Sequence, residues 1–307
     1  MPENSHAVRS SFENNIWYPV GQGNWRAFRA AGFDIARVER ASKRWAEALK
    51  DVERPWLCWN VASDWCLVQQ RLVKMVGWTP VIGFDPRVGP PAEVVEGAIT
   101  IDFNEELKFP ILYPHFPLEF VFLFCDKLAF WHSDLLIRKD LMAQLAKKFE
   151  AMKDGETIVT AARPHWAAFL SAYHRRYSDL AGCTTRSASR SQFDSGCGWW
   201  MAFKDHINCP NEAEREKRSK HYWDHGSGIY YWHKYCSGNV IVFGEKRLHE
   251  GHFTKMGNPN YKRGFAPNTS DVSRQMGNEL VRNFDLSTVC EELALSDFLP
   301  SAATGMA

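Results

Sequence analysis

Apolar and polar residues change their spacing near residue 55, where alternating strand-like and helix-like patterns begin. Residues 55–63, PWLCWNVAS, are a short apolar run that ends in small polar side chains, which predicts a buried strand. Residues 64–78 carry apolar side chains on one helical face, and residues 79–85 predict a second short strand. A strand, a helix and a strand in this order predict a β-α-β unit with parallel strands and a right-handed crossover.

The alternation continues along most of the chain. It predicts further strands within residues 98–103, 124–140, 156–162, 194–203 and 239–243, and helices within residues 34–52, 118–124, 137–155, 165–182 and 211–236. The chain is therefore predicted to be an α/β protein with a mostly parallel central sheet flanked by helices. Sheets of this kind bind ligands at the carboxyl ends of their strands. Four polar residues fall at these ends of the first two predicted strands: Asn60, Ser63, Asp64 and Asp85.

His132 and Asp134 interrupt an apolar run in the stretch FCDKLAFWHSDLLIRKD, residues 124–140. In a strand, residues i and i+2 face the same side, so these two side chains would lie together. A buried carboxylate is costly unless it is compensated, and a divalent cation would compensate it. Imidazole nitrogen and carboxylate oxygen are suitable ligands for manganese or zinc. The alternative is a strand that ends in water, with Asp134 capping the next helix.

The segment DKLAFWHSD, residues 126–134, resembles the DK-apolar-aromatic-apolar-D-x-D segment of glycosyltransferases with the GT-A fold. The resemblance is closest to the retaining, glycogenin-like and galactosyltransferase-like family, glycosyltransferase family 8. In that family the two carboxylates hold a manganese ion on the diphosphate of a nucleotide sugar. Asp134 takes the position of the second carboxylate, and His132 takes that of the first, where the family has Asp. The resemblance also places Ser133 at the donor site.

A segment late in the chain adds to the resemblance. HEGHFTK, residues 249–255, is similar to the family's H-x-x-G-x-x-K motif. His249 takes the position of the third metal ligand, and Lys255 takes that of the lysine that contacts the donor phosphates. His252 stands in place of the motif's glycine.

Two segments between these motifs are similar to further parts of the family. FDSGCGWWMAF, residues 193–203, is similar to the F-N-S-G-apolar strand, with Asp194 in place of Asn. WDHGSGIYYW, residues 223–232, falls where the family has D-Q-D-x-L-N, and Asp224 matches the first Asp. The resemblance makes Asp224, and then Asp194, the candidates for a carboxylate near the anomeric centre. Each could instead cap a helix or hold a loop.

The resemblance covers roughly residues 56–257 and implies one GT-A-like, Rossmann-like catalytic domain at residues 55–257. Residues 1–54 and 258–307 would be N- and C-terminal extensions. The implied activity is transfer of a sugar from a nucleotide-diphosphate donor, expected to be a UDP-sugar, with retention of configuration. Mn²⁺ is the expected metal cofactor, with Mg²⁺ as the alternative. The acceptor stays open among glycans, lipids, proteins and small molecules.

By the same resemblance, Asn60, Ala62 and Asp64 would lie near the base and ribose of the donor. Small and polar residues at a strand end also suit any tight turn. The chain has 13 tryptophans, and four of them could line an acceptor groove: Trp199, Trp200, Trp223 and Trp232. Packing in the hydrophobic core is the alternative for these side chains.

Two other functions stay open. Because His132 replaces Asp and the D-Q-D match is poor, the chain could be a GT-A-fold binding protein without catalysis. The segment HYWDH places His221 and His225 at i and i+4 on one helix face, a spacing that can bind zinc in a hydrolase. The glutamate general base of the H-E-x-x-H motif is missing from it.

Amino-acid composition limits the expected binding partners and the expected cellular compartment of the protein. A net charge of +1, with 45% hydrophobic and 24% charged residues, gives no reason to expect a nucleic-acid partner. No apolar stretch approaches the roughly 20 residues of a membrane span. Eight cysteines without a C-x-x-C pair, and a first segment without an apolar leader, favour the reducing cytoplasm.

Overall fold

The computed structural model describes residues 35–60, 62–84, 88–108, 112, 115–160, 177–195, 197–199, 226–252 and 286–300. The strands are β1 Pro55–Asn60, β2 Thr79–Phe84, β3 Ile99–Ile101, β4 Lys127–Trp131, β5 Glu156–Thr160, β6 Ser178–Thr185 and β7 Asn239–Val242. The α-helices are α1 Ile35–Leu49, α2 Ser63–Met75, α3 His115–Val121, α4 Lys139–Glu150, α5 Arg186–Asp194, α6 Ser227–Tyr235 and α7 Leu286–Glu292. Short 3-10 helices cover Lys246–Gly251 and Ser296–Phe298.

The described strands form one mixed sheet in the order β3-β2-β1-β4-β6-β5-β7. β1 pairs in parallel with β2 and with β4, β2 pairs in parallel with β3, and β5 pairs in parallel with β7. β6 lies antiparallel between β4 and β5. The predicted β-α-β unit and the mostly parallel α/β sheet are confirmed, and the arrangement is compatible with a Rossmann-like fold.

The strand order reverses between β1 and β4. From β1 the chain adds β2 and β3 on one side, and it then returns to place β4 on the other side of β1. Such a reversal leaves a crevice at the carboxyl ends of the two strands, because their connections leave in opposite directions. Asn60 ends β1 at this crevice, and His132 directly follows Trp131, the last residue of β4. The fold thus presents these residues where α/β sheets bind ligands.

Buried side chains cover both faces of the sheet. Leu57 and Trp59 of β1 belong to one buried cluster, together with residues of α1 and α3. Trp56 and Cys58 belong to a second cluster, together with residues of α2, α4 and α7. Successive side chains of a strand point to opposite faces, so a sheet covered on both faces needs nearly continuous apolar strands. The uninterrupted apolar run of β1 follows from this three-layer arrangement.

Described parts of both predicted extensions pack against the sheet. Trp45 of α1 is buried, and its ring centroid lies 5.3 Å from that of Phe103. Cys290 of α7 is buried in the second cluster. Arg71 of α2 donates a hydrogen bond of 3.0 Å to the carbonyl oxygen of Phe298. None of the described helices has the length and apolar composition needed to cross a membrane.

Three predicted elements differ from the structure. The strand predicted within residues 124–140 ends at Trp131, so His132 and Asp134 lie in the turn that follows it. The helix predicted within residues 165–182 is wrong where the structure describes it, because β6 begins at Ser178. The strand predicted within residues 194–203 is absent from their described part, since helix α5 ends at Asp194 and residues 197–199 are in no strand.

Strand β6 is closely packed at Gly182. Gly182 lies where a Cβ atom would come within 2.8 Å of ring atoms of Phe130 and of Trp199. Glycine therefore lets two aromatic rings pack against the backbone of β6. Thr184 and Thr185 supply β-branched side chains that suit a strand between two neighbours.

Candidate metal centre

The turn after β4 positions His132 and Asp134 at the carboxyl edge of the sheet. The N–H of His132 donates a hydrogen bond of 2.8 Å to the carbonyl of Leu180 on β6. The N–H of Leu135 then donates to the carbonyl of His132 at 3.2 Å and closes the turn. Helix α4 begins four residues later with Arg138 as its N-cap residue, so Asp134 does not cap this helix.

The segment around Gly251 lies against this turn. The N–H of Leu136 donates a hydrogen bond of 3.0 Å to the carbonyl of Gly251, and Leu135 forms an antiparallel bridge with His252. A Cβ atom at Gly251 would lie 1.7 Å from the carbonyl oxygen of Leu136. Only glycine permits so close an approach of the two backbones. This contact brings a histidine from a distant part of the chain to the end of β4.

Three side chains converge at this point. Nε2 of His252 lies 3.2 Å from Oδ1 of Asp134, and Nδ1 of His132 lies 3.7 Å from the same oxygen. The centroids of the two imidazole rings are 5.3 Å apart, at an interplanar angle of 72°. His252 is buried, while the side chains of His132 and Asp134 are 25% and 18% exposed. The group is therefore closed on the protein side and partly open to solvent.

The two histidines hold Asp134 in its ionised form. Burial alone would raise the pKa of this carboxyl, but the positive charge and the hydrogen bonding of His252 and His132 outweigh burial and lower the pKa well below its ordinary range. A carboxylate in this position needs positive charge beside it. A protonated imidazole supplies that charge, and so would a divalent metal ion.

Gln69 of helix α2 fixes the shape of the turn. Its Nε2 donates hydrogen bonds to the carbonyl of His132 at 3.0 Å and to the carbonyl of Leu135 at 2.9 Å. The Gln69 side chain is completely buried. Two carbonyl acceptors require the amide nitrogen, so the orientation of this amide is unambiguous. Helix α2 thus anchors the turn through these two carbonyls.

His132, Asp134 and His252 could hold a metal ion, because their ligand atoms all lie within 4.8 Å of one another. Two ligand atoms of a tetrahedral zinc ion, each about 2.1 Å from the metal, are about 3.4 Å apart. The separations of 3.2 Å and 3.7 Å around Oδ1 of Asp134 are close to this value. These two distances are therefore compatible with coordination of one ion by the three groups.

The predicted metal ligands are brought together only in part. His132 and Asp134 lie together as expected, although they do so in a turn and not in a strand. The described third member of the group is His252. The side chain of His249 and all of Lys255 lie outside the described residues.

The sequence pattern of the late segment did not identify His252. The H-x-x-G-x-x-K pattern predicts His249 as the ligand and places the motif's glycine at position 252. The tight backbone contact is instead made by Gly251, one residue earlier. The useful signal was the pair Gly251-His252, which offers a glycine for close approach directly beside a potential ligand.

Three residues that are predicted to lie near the base and ribose are near the same edge, at or just after the end of β1: Asn60, Ala62 and Asp64. Asn60 is buried, and its Nδ2 donates a hydrogen bond of 2.9 Å to the carbonyl of Gly89. Ala62 is the N-cap residue of α2, and Asp64 is exposed in the first turn of that helix. Ser133 lies between His132 and Asp134 and is partly buried. In the structure, this hydrogen bond of Asn60 links the end of β1 to the loop that contains Gly89.

Asp194 lies apart from the metal group. It is exposed at the end of α5 and pairs with Arg190 at 2.8 Å. Helix α5 follows the end of β6 that pairs with Lys127, the first residue of β4. Its Gln192 donates a hydrogen bond to Thr157 near the start of β5. Asp194 is therefore near the edge where β4 begins, whereas the metal group is at the edge where β4 ends.

Described tryptophans from the predicted acceptor groove lie in the core. Trp199 and Trp232 are almost completely buried, and Nε1 of Trp232 donates a hydrogen bond to Ser191. Core packing is thus the correct alternative for both. The other two tryptophans of the predicted groove, Trp200 and Trp223, lie outside the described residues.

The two histidines of the alternative zinc site, His221 and His225, also lie outside the described residues. The same holds for Asp224, the candidate carboxylate near the anomeric centre.

A scan against protein-family models found no match, and neither the curated proteins nor the solved structures gave a match. The likeness to GT-A glycosyltransferases accordingly rests on the motifs in the sequence.

Proposed function

We propose that this protein is a metal-assisted glycosyltransferase of the GT-A type, which transfers a sugar from a nucleotide-diphosphate donor, a UDP-sugar, with retention. The observation that carries the proposal is the meeting of two separate motif segments. Residues 126–134 and 249–255 each resemble a metal-binding segment of the family, and residues of both contribute to one His-Asp-His group. The sequence pattern of either segment alone does not predict that the other segment lies beside it.

The position of the group in the sheet also supports the proposal. It follows β4 at the point where the strand order reverses, next to the end of β1. Nucleotides bind α/β sheets at such a reversal, because the diverging connections leave room for them. Asn60 ends β1 beside this reversal and would lie near the nucleotide.

Five side chains have a defined task in this proposal. His132, Asp134 and His252 would hold the metal ion, which when bound stabilises the negative charge of the departing diphosphate. Lys255 would contact the donor phosphates and add positive charge at the same place. Asp224 would lie near the anomeric centre. With retention, the acceptor hydroxyl can attack from the face of the leaving group, so no nucleophilic side chain is required.

A binding protein that keeps the site without turnover is the second candidate function. Its support is His132, which replaces a carboxylate of the family's D-x-D pair. Such a protein would bind the donor and leave it intact. Donor turnover therefore distinguishes the two candidates.

The test is an assay of UDP release from four UDP-sugars, with glucose, galactose, N-acetylglucosamine or N-acetylgalactosamine as the sugar. Each donor is incubated with purified protein and Mn²⁺ or Zn²⁺, with water or a mixture of sugars as acceptor. We expect release from at least one donor in the wild type and none in Asp134→Ala. Asp154→Ala is the matched control, because Asp154 is exposed in the turn before β5. Intact donor in every wild-type reaction would contradict the proposal.

A further inference from the structure

The donor atoms of the His132-Asp134-His252 group differ from those of the motif that it resembles. Two imidazole nitrogens and one carboxylate converge here, whereas the D-x-D motif supplies two carboxylates. From this difference we infer that the site selects a borderline transition-metal ion, for which Zn²⁺ is the probe, over Mn²⁺ and Mg²⁺. The inference concerns metal binding alone, and it holds whether or not the protein transfers a sugar.

Ligand chemistry gives the direction of this selectivity. Imidazole suits zinc, copper, iron and nickel, whereas carboxylate and water suit magnesium, calcium and manganese. Replacing one of two hard carboxylates by an imidazole weakens the site for Mn²⁺ and Mg²⁺ more than for Zn²⁺. It also removes one negative charge, and hard cations depend most strongly on that charge. His132 is therefore the residue that widens the preference for Zn²⁺ over Mn²⁺.

The geometry of the group agrees with a small tetrahedral ion. Three protein ligands with a fourth position open to solvent are typical of catalytic zinc sites. The exposed fractions of His132 and Asp134 leave such an opening, while His252 is buried behind them. A magnesium ion prefers six oxygen ligands in an octahedron and keeps most of its waters, which two imidazoles do not favour.

The backbone around the group keeps its ligands in place before any ion arrives. His252 is held by its bridge with Leu135, and the turn of His132 is held by Gln69. Ligands that are positioned in advance lose little entropy on binding and keep their preferred geometry. The preference for one ion is thus built into the protein and does not depend on a ligand that orders the site.

The experiment measures dissociation constants for Zn²⁺, Mn²⁺ and Mg²⁺ on tag-free, chelator-stripped protein, by calorimetry and by competition with a zinc-binding dye. In the wild type we expect Zn²⁺ to bind at least about 100-fold more tightly than Mn²⁺. His132→Asp restores the carboxylate pair and should lower the ratio of the two affinities by at least about tenfold. The ratio is measured within one protein, so a loss of folded material in the variant does not affect it.

Two further variants locate the ion. His252→Ala should weaken Zn²⁺ binding, whereas His233→Ala should not, because His233 is exposed on α6 and outside the group. Zinc binding that survives His252→Ala would assign the ion to another group and overturn the inference. Equal affinity for Mn²⁺ and Zn²⁺, an unchanged ratio in His132→Asp, or no binding of any ion would overturn it as well.

Discussion

Asp134 lies between two histidines, and each imidazole presents a nitrogen to the same carboxylate oxygen. The turn after β4 supplies one histidine, and the residue after Gly251 supplies the other. Asp134 therefore stays ionised although it is mostly buried. At the scale of single residues, this carboxylate lies between the two histidines of a group that could hold a metal ion.

The low pKa of Asp134 predicts how the metal-free protein responds to acid. Its folded-state pKa lies below the ordinary value of 3.8, so the carboxylate adds stability above that pH, and the contribution is lost as the pH falls further. The wild type should lose free energy of unfolding more steeply than Asp134→Asn between about pH 5 and about pH 3. Urea unfolding of both proteins at the two pH values measures this. Parallel losses would show that Asp134 is not the titrating group.

Gly251 predicts a second effect at the residue scale. Its missing side chain leaves room for the carbonyl of Leu136, so Gly251→Ala should lower the free energy of unfolding by more than about 2 kcal/mol and weaken metal binding. Gly155→Ala is the control, because Gly155 has open space around it and a φ of +82°. Its cost should be about 1 kcal/mol, with metal affinity unchanged. Chemical denaturation and calorimetry give both quantities, and equal effects of the two variants would argue against the backbone contact.

Only part of this site could be predicted from the sequence, because only His132 and Asp134 are close together along the chain. His132 and Asp134 break an apolar run, and a break of this kind is visible in the sequence. The motif pattern does not mark His252 as a ligand, whereas the structure places it in the His-Asp-His group. Its position depends on a backbone contact between Gly251 and Leu136, residues far apart in the sequence. A pattern within one segment does not encode such a contact.

At the scale of elements, helix α2 contacts two separate loops through its side chains. It carries two adjacent buried glutamines that face different neighbours. Gln69 donates to the carbonyls of His132 and Leu135 in the turn after β4, and Gln70 accepts a hydrogen bond of 2.9 Å from the N–H of Val95. One helix therefore holds both the turn after β4 and the loop after β2.

The two glutamines form a matched pair for testing the role of α2. Gln69→Leu should weaken metal binding by about 10- to 100-fold, because it releases the carbonyls that orient the turn. Gln70→Leu should leave metal binding unchanged. Each variant should lose about 1–3 kcal/mol of stability, since each leaves buried backbone groups without partners. Calorimetry with Zn²⁺ and urea unfolding separate the two effects, and equal metal affinities in the two variants would limit Gln69 to a structural role.

Lys127, the second residue of the segment DKLAFWHSD, links strand β4 to helix α4. Its Nζ donates hydrogen bonds to the carbonyls of Phe149 at 2.8 Å and Glu150 at 3.1 Å, at the end of α4. A lysine at the carboxyl end of a helix satisfies free carbonyls and the negative end of the helix dipole. Lys127 thus joins β4 to α4, and its position in the motif has a structural reason.

At the scale of the whole molecule, the parallel part of the sheet could be predicted and β6 could not. The apolar runs of β1 and β2 are continuous because both faces of the sheet are covered. β6 contains small residues and threonines with no clear periodicity, and it enters the sheet antiparallel between β4 and β5. Its place in the sheet depends on packing between those two strands, including the packing of the Phe130 and Trp199 rings on Gly182.

The central claim is that this sheet carries a metal-dependent nucleotide site, and titration calorimetry with UDP tests it most directly. UDP is titrated into wild-type protein with and without Mn²⁺ or Zn²⁺, and into Asp134→Ala under the same conditions. We predict binding that requires the metal and that Asp134→Ala abolishes. UDP binding that ignores both the metal and the substitution, or no UDP binding beside measurable Zn²⁺ binding, would contradict the nucleotide site. The second of these results would leave the inferred preference for zinc intact.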